Sequence, residues 1–292
     1  MFSSVSSVLT NRKGPICMVA ASICWSFGGI CIELIPWGAM SIIGLRAFLA
    51  AIVFVIYRRS FKIKFTFGNI LAALCLSATT VLFVFANKLT SAAAAILLQF
   101  TAPVFIILIQ LALYKKKPKF SEAAAVSVTI FGMLMFFAGR LESGALLGNI
   151  LAIASGMTFA GVFVFNKRED TNPEQALLLG FFINSIIGLP FVFFEATAEP
   201  VAWLAVLFLG IIQVGLAYVF FSVGIKNTTA LLACLITAME PVLNPVWVAL
   251  ATGEMLGKFA IIGGIVIIVT VVIYNIWVEI NQKDKQKQQK VS

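Results

Sequence analysis

The stretch Thr80–Val104, TVLFVFANKLTSAAAAILLQFTAPV, decides the fold, because its pattern returns without a gap at Tyr218–Val242, YVFFSVGIKNTTALLACLITAMEPV. Lys88 falls on Lys226, Thr90 on Thr228, Ala92 on Ala230, Ala95 on Ala233, Leu97 on Leu235 and Pro103 on Pro241. Apolar low-complexity sequence inflates such matches, but a coincident lysine and proline are harder to obtain by chance. Each copy reads as the end of one apolar span, a short polar turn, and the start of the next. The chain is therefore expected to be a duplicated unit, residues 1–140 and 141–280. The tail 281–292, rich in Lys and Gln, is expected to be disordered.

Composition extends this reading to the whole chain. Of 292 residues, 61% are hydrophobic and 11% charged, with mean hydropathy +1.04. Soluble domains carry about 25% charged residues, so a solvated globule is excluded. A membrane helix needs about 20 apolar residues. Charges and turn residues mark ten such spans, near Gly14–Leu34, Gly38–Tyr57, Gly68–Ala86, Leu89–Tyr114, Ala123–Gly139, Ala145–Asn166, Ala176–Phe194, Val201–Gly224, Thr228–Thr252 and Phe259–Val278. The apolar runs are continuous rather than alternating, which argues against a membrane β-barrel.

Positive charge sets the orientation. One set of loops and ends holds Arg12, Lys13, Arg58, Arg59, Lys62, Lys64, Lys115, Lys116, Lys117, Lys119, Lys167, Arg168, Lys226, Lys283, Lys285, Lys287 and Lys290. Lys88, Arg140 and Lys258 fall on the other side, and Arg46 lies within the second span. Both termini are then cytoplasmic, in the inner cell membrane. The net charge of +9 is this bias and does not point to nucleic acid. Five spans per repeat is an odd number, so the second copy enters the membrane from the opposite side. Inverted repeats of this kind belong to alternating-access carriers, whose sites lie near mid-membrane at the repeat interface. The expected fold is an all-α polytopic membrane protein, ten transmembrane helices as two inverted-topology five-helix repeats.

Several motifs resemble the EamA-type family of the drug/metabolite transporter superfamily. AASICWSFGG at Ala20–Gly29 resembles its first-helix pattern, and Arg46-Ala47-Phe48 its Arg-Phe start of the second helix. LLQFTAP at Leu97–Pro103, ITAMEP at Ile236–Pro241 and Gly253-Glu254 are similar to its paired fourth- and ninth-helix motifs. Tyr114-Lys115-Lys116 departs from the family's Gly-Glu after the fourth helix. The resemblance covers residues 14 to 278 and implies a central cavity, with the fifth and tenth helices peripheral. It also implies that a single chain suffices, although the Gly263-Gly264 face could support a dimer.

Ionisable groups inside a membrane are costly and mark functional sites or satisfied internal pairs. Glu240, midway along the ninth span, and Arg46, a third of the way into the second, are the leading substrate ligands. Ser77, Thr80, Val84 and Asn87 form one stripe on the third helix; the repeat maps it onto Gly215, Tyr218, Ser222 and Ile225. Thr237, Glu240 and Asn244 share a face of the ninth helix, and Gln99 corresponds to Thr237. Cavity lining is the reading preferred here over helix-to-helix glue. Trp25 and its counterpart Phe159 are expected to wall the cavity, while Gln213 falls off the Tyr218 stripe and ranks below the others. Trp37, Trp203 and Trp277 read as interface anchors. Pro103 and Pro241 are candidate hinges.

The chain has no histidine, and its five cysteines lie in apolar runs without a paired motif, so no metal, cofactor or catalytic site is expected. No Gly-rich nucleotide loop is present. The expected function is secondary transport of a small organic metabolite, an amino acid or related compound, outward, with a proton as the possible coupling ion. Export of cationic or aromatic drug-like compounds is the same-fold alternative. A passive channel, a membrane scaffold and a membrane enzyme are alternatives of other classes.

Overall fold

The structure is a computed structural model that describes the backbone over residues 2–90, 92–138, 146–252 and 257–291, and most side chains within these from Lys13 to Asn281. Every regular element among the described residues is helical. In chain order they are α1 (Phe2–Trp25), α2 (Gly28–Glu33), α3 (Ala39–Arg58), α4 (Phe67–Leu89), α5 (Ala92–Gln99), α6 (Ala102–Tyr114), α7 (Phe120–Phe136) and α8 (Leu146–Phe165). There follow α9 (Pro173–Glu195), α10 (Pro200–Phe208), a π-helical segment (Leu209–Leu216), α11 (Ala217–Lys226), α12 (Ala230–Thr237), α13 (Met239–Thr252) and α14 (Lys258–Val291).

Among the described residues 7 stretches are long and apolar enough to cross a membrane: Ala39–Arg58, Phe67–Leu89, Ala94–Tyr114, Leu146–Phe165, Pro173–Glu195, Pro200–Lys226 and Lys258–Asn281. Three shorter apolar helices, Lys13–Trp25, Phe120–Phe136 and Ala230–Asn244, stand at the remaining expected spans. The helix is interrupted at Ser26–Phe27, after the first of these, and at Ala238, within the third. Side chains mark the starts: Thr66 Oγ1 accepts from the Asn69 N–H at 3.2 Å, and Thr229 Oγ1 from Leu232 at 3.2 Å. Asn172 caps α9 ahead of Pro173, which suits a first helical position. Phe193, Phe194 and Ile186 are 88%, 87% and 75% exposed; such a surface is stable facing hydrocarbon and a liability in water.

Packing repeats the duplication seen in the sequence. The repeat pairs α1 with α8, α3 with α9, α4 with α10–α11, α5–α6 with α12–α13, and α7 with α14. α3 lies along α9 and α7 along α14, each element against its own counterpart. α4 lies along α8, and the exchanged pair, α11 along α1, is also present. α5 and α6 pack on α8 as α12 and α13 pack on α1.

Three readings change. The tail continues α14 as helix through Val291, where Lys and Gln are good helix formers. Trp37 is buried and donates Nε1–H to Thr197 Oγ1 at 3.0 Å, so it is a packing residue rather than an interface anchor. A Cβ on Gly263 would stand 2.5 Å from the Gly132 carbonyl oxygen, so α7 of the same chain covers the glycine face considered for a dimer. Residues 139–145 and 253–256, which carry Arg140 and Gly253-Glu254, lie outside the described residues.

Candidate functional site

A cavity of about 110 Å³ lies at the middle of the bundle, lined by both halves. It is smaller than the roughly 300 Å³ at which drug-sized pockets begin, so in this conformation it holds little more than a polar head group. Arg46 enters from α3, and Thr80, with Thr79 and Phe83, from α4. Gln99 ends α5, Phe159 comes from α8, and Phe181 and Asn184 come from α9. Ile43, Ala47, Leu76 and Val214 line it between these, and Trp25, Gln213, Tyr218 and Glu240 complete it.

Helix irregularities place the last group. α1 stops at Trp25, and α12 stops at Thr237 so that α13 restarts at Met239 with Glu240 in its first turn. A carboxylate is favoured there by the free N–H groups and the helix dipole. Pro241 follows in the same turn and Pro103 stands in the first turn of α6, where a missing N–H costs little. Both prolines thus sit just past a break in an otherwise continuous span.

Among the described residues neither Arg46 nor Glu240 makes a hydrogen bond or ion pair. Tyr218 is the electrostatic neighbour of both. Its ring meets Trp25 edge-on at 5.0 Å and Phe181 at 5.4 Å. The result is an aromatic wall beside a guanidinium and a carboxyl that pair with no protein group among the described residues, an arrangement suited to a ligand carrying both opposite charges.

The structure brings Trp25, Arg46, Thr80, Gln99, Phe159, Tyr218 and Glu240 together. Asn87, Ser222, Thr237 and Asn244 do not line the cavity. Asn87 Nδ2 donates to the Phe83 carbonyl at 2.9 Å, Ser222 Oγ to Val219 at 2.8 Å and Thr237 Oγ1 to Cys234 at 2.6 Å, so all three are satisfied by their own helix. Ser222 and Thr237 are fully buried, and a turn at Ala238 separates Thr237 from the helix that carries Glu240. Asn244, half-buried on α13, stands one turn beyond Glu240.

Gln213 lines the cavity because of the π-helical segment. Stripe counting assumes 3.6 residues per turn, whereas π geometry pairs i with i+5. Gln213 and Tyr218 are five apart and face one cavity. Phe181 and Asn184 were absent from the sequence reading; their spacing of three on an apolar helix was the available signal.

One end of the cavity is plugged. Phe163 packs on Phe221 at 5.4 Å, with Phe54 also fully buried. Beyond them Glu174 binds Lys226 at 2.5 Å and faces Arg58 at 4.0 Å. Lys167 Nζ donates to the Ile225 carbonyl at 3.1 Å. The Gly68 N–H donates to Asp170 Oδ2 at 2.9 Å, joining a loop of the first half to one of the second. Arg168, hydrogen-bonded to Asp170, holds that carboxyl below the usual carboxylate range. This charge therefore persists through the usual carboxylate range and is lost only as pH falls below it. The partly exposed Glu174–Lys226 pair contributes up to about 1 kcal/mol, about fivefold in a two-state balance. Glu174→Gln is accordingly expected to speed maleimide labelling of a cysteine placed at Phe221 about fivefold; an unchanged rate would show that Glu174 does not hold this end shut.

Such a helical bundle, duplicated, with lipid-facing apolar sides and a charged central cavity, is the architecture of a multi-pass membrane transporter. The EamA-like transporter family matches the chain over residues 12–138 and 146–276, one copy per half, and the chain belongs to that family. An uncharacterized transporter of Archaeoglobus fulgidus is 26% identical over 197 residues, covering 67% of this chain and 71% of the relative. The uncharacterized transporter YwfM of Bacillus subtilis is 25% identical over 207 residues, covering 66% and 68%. A solved crystal structure superposes with a TM-score of 0.76 at 18% identity, covering 89% of this chain and 95% of that one, a likeness of fold.

Proposed function

We propose that the protein is a secondary transporter that carries a small zwitterionic metabolite, an amino acid or a close relative, outward across the cytoplasmic membrane by alternating access. In this reading ten helices span the bilayer as two inverted five-helix halves, with both termini cytoplasmic and a single chain as the working unit. Pro103 and Pro241 are the hinges, and Glu240 is the site of a coupling proton. One observation carries the substrate class: Arg46 and Glu240 face one small cavity, each without a protein partner. Arg46 matches a carboxylate and Glu240 an ammonium.

The aromatic wall of Trp25, Phe159, Phe181 and Tyr218 favours a second reading, export of aromatic or cationic compounds held by Glu240 alone. A thermal-shift series with leucine, phenylalanine and phenethylamine separates the two. Both amino acids are expected to raise the melting temperature and the amine to do so less, since it leaves Arg46 unpaired. Equal shifts from phenylalanine and phenethylamine would favour the second reading, and no shift from either amino acid would sink the first.

A further inference from the structure

The Gln213 side chain is 8% exposed and faces the cavity, with Nε2 donating to the Trp25 carbonyl at 3.3 Å. Gly28 leaves room for this clip, because a Cβ there would stand 2.9 Å from that nitrogen. With the nitrogen end held, the amide is oriented and its oxygen turns away from Trp25. Among the described residues Gln213 Oε1 is buried without a hydrogen-bond partner. A buried carbonyl left unsatisfied is destabilising, and π-helical turns are rare and concentrate at functional sites.

Gln99 shows the same polarity. Its Nε2 donates to Ser155 Oγ at 2.8 Å, and Ser155 Oγ donates to the Thr79 carbonyl at 3.1 Å. Its carbonyl oxygen is the end left for the cavity. Asn184 is reversed, since its Oδ1 accepts from Ser77 Oγ at 2.6 Å and its amide nitrogen remains. The Gln213 and Gln99 side chains thus turn amide oxygens, besides the Glu240 carboxyl, to a cavity lined by aromatic, aliphatic and polar groups.

We propose that Gln213 Oε1 accepts a hydrogen bond from the substrate's ammonium group and makes the site selective for amines that retain an N–H. This rests on the zwitterion reading above. Glu240 supplies attraction for any cation, so charge alone does not separate a primary ammonium from a quaternary one. An oriented acceptor does, because N-methylation removes the donor and leaves Oε1 buried and unpaired; sites built this way reject the lacking analogue by far more than a methylene difference achieves.

The test compares phenylalanine with its N,N,N-trimethyl derivative, which keeps both charges and lacks every N–H. Titration calorimetry on the purified protein is expected to show phenylalanine bound at least about tenfold more tightly. In Gln213→Leu that preference falls below about threefold, because the oriented acceptor is gone. Gly28→Ala, which presses on Nε2 without removing the amide, lowers the preference too and carries the test if Gln213→Leu does not fold. Equal binding of the two probes by the wild type, or an undiminished preference in the variant, overturns the role of Gln213 and leaves the zwitterion reading standing. Binding of neither probe overturns both.

Discussion

Arg46→Gln is expected to weaken phenylalanine binding about 10- to 100-fold while leaving phenethylamine within about twofold, the range for losing one charge-assisted hydrogen-bonded partner. Arg46 is the cation of the cavity and makes no hydrogen bond or ion pair among the described residues, so its match is a carboxylate from outside the chain. Removing it therefore discriminates between a ligand that has a carboxylate and one that does not. Glu240→Gln is expected to weaken both ligands, and in proteoliposomes to abolish the pH dependence of flux. A uniform loss in Arg46→Gln would mean that the guanidinium supports the wall rather than the ligand. Unchanged pH dependence in Glu240→Gln would remove the proton from its role.

Why these two charges were legible in the sequence, and others in the site were not, has a physical answer. An arginine or glutamate inside a run of Leu, Ile and Phe is conspicuous because hydrocarbon tolerates it poorly. Thr80 and Tyr218 were found together because they are counterparts at the start of the repeated stretch, and both line the cavity. The packing pairs follow the repeat, since a duplicated chain places like elements in like surroundings. Stripe counting failed wherever the helix stops being an α-helix. The π-helical segment returned Gln213 to the cavity, and the break at Ala238 removed Thr237. Ser222 shows a different limit: periodicity gives the face of a helix but not the depth at which an aromatic plug ends the cavity. Phe163 and Phe221 belong to two halves, and no local pattern announces that they meet.

Gly44→Ala is expected to be the most damaging glycine-to-alanine change among the described residues. α3 and α9 cross at Gly44 and Gly188, and a Cβ on Gly44 would run into the Gly188 carbonyl carbon and the Leu189 amide nitrogen. The reciprocal Cβ on Gly188 would stand 2.5 Å from Gly44 Cα. Backbone cannot turn away as a rotamer can, so the two helices must separate, at a cost of more than about 3 kcal/mol. Membrane helices rely on such close approach because no hydrophobic force drives them together. Separation also reaches the site, since Arg46 is two residues beyond Gly44 and Asn184 one turn before Gly188. Two other glycines calibrate the effect. At Gly224 the first obstacle is Met18 Sδ at 2.6 Å, the flexible end of a side chain, and at Gly257 nothing lies within 4 Å. The fraction of monodisperse protein after detergent extraction should therefore fall in the order Gly257→Ala, Gly224→Ala, Gly44→Ala, with the last retaining little. Gly44→Ala behaving like Gly257→Ala would mean that α3 and α9 do not cross at these glycines, and the placement of Arg46 opposite Asn184 would fall with the crossing.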